Sequence, residues 1–118
     1  MAGKVYVEGS DVVFRLEGVD MVLAIKRELR IPISHIKSVS TEKADWNMFN
    51  ALKVAGARLP GVVEDGRFLS KEGFLFYDMH NPDKCVTVEL EGDRYKKVVF
   101  EVEYKEATAA MIRGAMGG

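Results

Sequence analysis

The stretch FLFYDMHNPDKCVTVEL (residues 74–90) decides how this chain reads. Residues 74–79 are apolar at nearly every position, the composition of a central strand covered on both faces. From Cys85 to Leu90 the pattern becomes an alternation: Val86, Val88 and Leu90 point one way, Cys85, Thr87 and Glu89 the other. Between these runs lie His80, Asn81, Pro82, Asp83 and Lys84. Asn-Pro and Pro-Asp are turn dipeptides, because proline presets φ and Asn or Asp side chains hydrogen-bond their own backbone. The expectation is an antiparallel hairpin.

The same stretch places His80 near the single cysteine, Cys85. A nucleophilic cysteine needs a histidine within hydrogen-bond reach and a third group to orient that histidine. Cys85 falls on a strand, not at a helix N-terminus where a thiolate is stabilised, and no glycine-rich elbow offers an oxyanion donor. Structural zinc wants four ligands at recognisable spacings, and the chain has one cysteine and two histidines. The reading is therefore a turn, with no catalytic, cofactor-binding or metal-binding residues, in a protein that is not an enzyme.

Downstream, KKVVFEVE (residues 96–103) sets Val98, Phe100 and Val102 on one face, expected to meet Val86, Val88 and Leu90 in the core. Upstream, GRFLSKE (residues 66–72) gives another strand, and the spacing of these runs predicts an antiparallel meander. Near the N-terminus Val5 and Val7 precede a Gly9-Ser10 turn, and Val12, Phe14 and Leu16 alternate on the next strand. In DMVLAIKREL (residues 20–29) Val22, Ile25 and Leu29 sit at helical spacing, with Asp20 as the N-cap. A short helix near 20–28 is preferred there over a strand in which Leu23 and Ile25 alternate with Ala24 and Lys26. An extended piece around Pro32 leads into a strand from Ile36. From ADWNMFNAL to GARLPG (residues 44–61) the pattern fails, and an irregular excursion is expected. The end, KEATAAMIRGAM (residues 105–116), reads as a helix with Ala107, Ala110, Met111, Ala115 and Met116 as its apolar stripe.

The 118 residues suit one domain spanning 1–118, and 47% hydrophobic with 30% charged residues is ordinary for a globular protein. Seventeen basic against eighteen acidic side chains leave no basic excess for nucleic acid. One cysteine forms no internal disulfide, and the N-terminus lacks a signal-like apolar run, so a cytoplasmic protein is expected. Two surfaces stand out. Lys26, Arg27, Arg30 and Lys37 form the densest basic cluster, a candidate for anionic ligands or lipid headgroups, although Glu28 interrupts it. Trp46, Met48 and Phe49 are large apolar residues in the irregular stretch, either an interaction surface or a plug for the open end of a barrel.

LAIKRELRIPISHIKSV and LPG…DGRF…FYDMHNPDKCVTVELEGDRYKKVVFEVE resemble the bacterial and archaeal pleckstrin-homology-like (PH-like) domain proteins over almost the whole chain. The resemblance implies a mainly β split barrel of two antiparallel sheets, of four and three strands, closed at one end by the C-terminal helix. It also implies a binding or self-assembly module whose partner is another protein or a second copy. PH domains that bind phosphoinositides use basic residues in the first interstrand loop. Here EGSD and EGVD occupy the early connections, so a phosphate would meet carboxylates, and a membrane surface is disfavoured. Anionic-ligand binding by the basic cluster is the runner-up, and a small enzyme using His80 and Cys85 a distant third.

Overall fold

The computed structural model describes residues 3–46, 51–59 and 61–117. Their order is β1 (Lys4–Glu8), β2 (Asp11–Arg15), α1 (Val19–Leu23), β3 (Glu28–Pro32), β4 (Ile36–Ser40), β5 (Ala51–Leu59), β6 (Val63–Ser70), β7 (Gly73–Met79), β8 (Cys85–Leu90), β9 (Tyr95–Glu101) and α2 (Lys105–Gly117). Strands β1-β2-β3 form one sheet and β4-β8-β9-β7-β6-β5 the other, neither closed on itself. The chain is mainly β with a C-terminal helix, as expected. Its division into three and six strands replaces the expected four and three.

The small sheet follows from alternation. Gly9, at φ +61°, supplies the left-handed residue of the two-residue turn between Glu8 and Asp11. Val12 pairs with Ile31 and Phe14 with Leu29, and all four are buried. They meet Phe76, Val86, Val88, Val98 and Phe100 of the large sheet in one core. Phe14 and Phe100 touch edge to face at 5.4 Å across the gap. Each such fully buried side chain contributes about 1.5–3 kcal/mol. Helix α2 adds Ala109 and Ile112 to this core, and Arg113 Nη2 donates to the Val39 carbonyl at 2.7 Å. The opposite face of the large sheet is also covered. There Phe68, Leu75, Tyr77, Met79, Cys85 and Val99 pack with Ala44, and the half-buried Trp46 lies against them.

Four expectations are corrected. The first concerns the hairpin: β7 and β8 do not pair. Strand β9 lies between them, parallel to β7 and antiparallel to β8. Alternation fixes which face a residue takes but not which strand lies beside it. The turn chemistry itself holds, with Asn81 accepting from Asp83 N at 3.0 Å over a single 3-10 turn. Glu101 at the end of β9 accepts from His80 N at 2.6 Å and Asn81 N at 2.7 Å, so the turn arches over that strand end.

Second, α1 is one turn long, and Leu29 belongs to β3; Val22 and Ile25 are exposed, so no stripe joins the three. Third, much of the expected excursion is strand β5. Its alternation is broken by a bulge between Lys53 and Ala55 and by Gly56, which faces Gly66 so closely that a Cβ on either would come within 2.1 Å of the opposing backbone oxygen. A strand that must be glycine at its crossing carries no period-two signature. Met48, Phe49 and Pro60 lie outside the described residues. Fourth, α2 buries Ala109 and Ile112, with Met116 packed beside them, whereas Ala107, Ala110 and Met111 are exposed. Among the described residues no helix is long and apolar enough to cross a membrane.

Candidate functional site

On β7, alternation places Phe74, Phe76 and Asp78 on the face toward the small sheet, and His80 follows Asp78 at the same two-residue spacing. The neighbouring β6 puts Asp65 directly opposite Asp78. Helix α1 packs on β6 and delivers Asp20. One ligand-capable atom from each of Asp20, Asp65, Asp78 and His80 lies within 4.8 Å of every other. The three aspartates are fully buried, and the His80 side chain is 30% exposed.

Like charges directly opposite on adjacent strands destabilise a sheet, so the hydrogen-bond inventory matters. His80 Nε2 lies 2.7 Å from Asp20 Oδ1 and 3.8 Å from Asp65 Oδ2. Asp65 Oδ1 accepts from Met79 N at 3.1 Å. Neither carboxyl oxygen of Asp78 has a donor from the described residues, and both are buried. The contrast with two other buried acids is plain: Glu64 is held by Arg58 at 3.0 Å, and Glu101 by its two backbone N–H groups. Burial pushes the Asp78 carboxyl far up from its ordinary range, and the adjoining Asp65 and Asp20 add to this. Burial raises Asp65 as well. The cluster thus sets two carboxyls on opposed strands, both pushed up by burial, beside an aspartate–histidine contact.

His80 therefore turns away from Cys85 and toward α1 and β6. The Cys85 thiol contacts the Asn81 carbonyl at 3.5 Å, and burial, then Glu101 and Asp78, pushes it up to about 12. A thiol that keeps its proton is a poor nucleophile.

The basic cluster does not converge. Glu8 at 2.6 Å and Glu28 at 2.8 Å hold the Arg30 guanidinium, with Asp11 at 3.9 Å. Lys37 lines a groove with Glu72, Glu89, Glu91, Lys96 and Lys97, apart from the one that Lys26 and Arg30 line. Arg27 is exposed. Trp46 packs against the second core, on the face of the large sheet away from the small sheet, and its companions Met48 and Phe49 lie outside the described residues.

Asp78-x-His80 is a period-two pair legible in the sequence. Asp65 is not, because its place depends on strand register, and by sequence Asp20 reads as an N-cap. That position is taken by Gly18, without a side-chain cap.

A second feature follows from the unequal sheets. Leu52, Leu69 and Phe74 stand opposite one another across β5, β6 and β7, and are 73%, 41% and 39% exposed. This row lies beyond the cover of the three-stranded sheet, and β5, at the edge of its sheet, has one side unpaired among the described residues.

No family model, curated protein or solved structure matches this chain.

Proposed function

We propose that this chain is a PH-like domain that works as a binding module by associating with a second copy of itself, without catalysis. The observation that carries the reading is the exposed row Leu52–Leu69–Phe74, continuous with the edge of β5 that is unpaired among the described residues. A nine-residue edge strand offers a run of unpaired backbone groups, and apolar side chains beside it favour pairing with another chain. A two-fold axis beside β5 joins the two rows and satisfies both edges at once. A net charge of −1 opposes that contact little. The PH-like assignment is supported by two facing β-sheets with a C-terminal helix packed into their shared core.

Light scattering at high micromolar concentration is expected to give twice the chain mass, falling to one chain in Leu52→Glu with the melting temperature unchanged. A monomeric parent would end this reading.

One observation favours the runner-up, contact with an anionic membrane surface. Val19, Val22 and Ile25 project into solvent beside Lys26 and Arg27, and Ile25 is held at φ +56°. Flotation with phosphatidylserine vesicles that is lost at high salt and in Val22→Asp favours that reading over self-association.

A further inference from the structure

Helix α1 is inside out: it buries Asp20 and exposes Val19 and Val22. Hydrophobic burial alone favours the opposite arrangement. The buried aspartate comes to lie against two more, one of which, Asp78, is fully buried, has no donor to either carboxyl oxygen among the described residues, and has a ligand atom within 4.8 Å of those of the others. Buried carboxyls are ordinarily satisfied, as Glu64 and Glu101 are here.

We propose that Asp20, Asp65, Asp78 and His80 form a binding site for one first-row divalent cation of the Mn2+ or Zn2+ type, held between α1 and the β6–β7 pair. The spacing fits. Around an ion with bonds of about 2.1 Å, ligand atoms lie roughly 3–4.2 Å apart, so a cluster whose atoms all lie within 4.8 Å closes on an ion with small side-chain movements. Donor chemistry selects the ion. Three carboxylates supply hard oxygen, and one imidazole favours manganese, iron or zinc over calcium, which takes six to eight oxygens. Charge also fits, because a dication offsets the repulsion between carboxylates on directly opposed strands. His80 is the member that reaches solvent, so the ion enters from its side. This departs from the expectation of a metal-free turn, and it is independent of self-association.

The experiment strips the purified protein with a chelator and titrates it calorimetrically with MnCl2, ZnCl2 and CaCl2, recording a thermal melt with and without each ion. One equivalent of Mn2+ or Zn2+ is expected to bind and raise the melting temperature, with Ca2+ at least roughly tenfold weaker. Asp78→Asn and His80→Gln are each expected to weaken binding by more than about tenfold. Should Asp78→Asn fail to fold, His80→Gln, altered at the solvent side, carries the comparison. Absence of stoichiometric Mn2+ or Zn2+ binding to the parent, or undiminished binding in His80→Gln, overturns the proposal.

Discussion

Cys85 shows what burial does to a single reactive group. Its side chain is fully buried, and its thiol is pushed up to about 12, so a thiol reagent at pH 8 meets almost no thiolate in the folded chain. Labelling is expected to be slow on the native protein and complete once it is unfolded; rapid native labelling would contradict the buried placement. The same shift carries a pH sign. Above the ordinary thiol value of 9.0 the unfolded chain loses the thiol proton while the folded chain keeps it, so this group removes stability as pH rises from 9.0 toward about 12. Cys85→Ser is expected to flatten that part of the stability profile. The sequence placed the cysteine on an alternating strand, and there it is buried. It also held half of the acid–histidine cluster, since Asp78 and His80 are two apart. The other half was hidden: Asp65 meets Asp78 through strand register, and Asp20 arrives on a helix turn that buries its acid instead of its valines.

Among the elements, those with strong alternation were legible and those whose residues answer to backbone demands were not. Val86, Val88, Leu90, Val98, Phe100 and Val102 are all buried in one core, as alternation predicted. Strand β5 escaped because a bulge and the Gly56–Gly66 crossing override side-chain patterning. The order β8-β9-β7 escaped because a five-residue turn leaves room for a third strand end, which Glu101 then ties to the turn. In α2 the helix was legible but its inward face was not, since counting alanines gives no unique stripe. That face is now testable. Ile112 is fully buried, whereas Met111, its neighbour, is 36% exposed. Ile112→Ala is expected to cost about 2–5 kcal/mol, and Met111→Ala within about 0.5 kcal/mol of nothing. Chemical denaturation of the two variants checks this, and equal losses would place the buried face elsewhere.

At the scale of the molecule, the two helices do different work on one sandwich. Helix α1 reaches β6, toward one edge of the large sheet, by burying an aspartate. Helix α2 packs on β4 and β8 toward the other edge and on β1 of the small sheet, by burying Ala109 and Ile112. The α2 side thus joins the sheets with apolar surface, and the α1 side with polar contacts whose strength depends on what neutralises the carboxyls. Because both sheets share one core, stripping α2 exposes residues of each at once, including Val39, Val88 and Val5. A chain ending at Glu103 is therefore expected to lose both sheets together instead of keeping the large one. Near-ultraviolet circular dichroism should collapse, dye binding to exposed apolar surface should rise, and saturating Mn2+ or Zn2+ should not restore the fold. A truncated chain that kept a cooperative thermal transition would show instead that the sheet-to-sheet core holds without its helix.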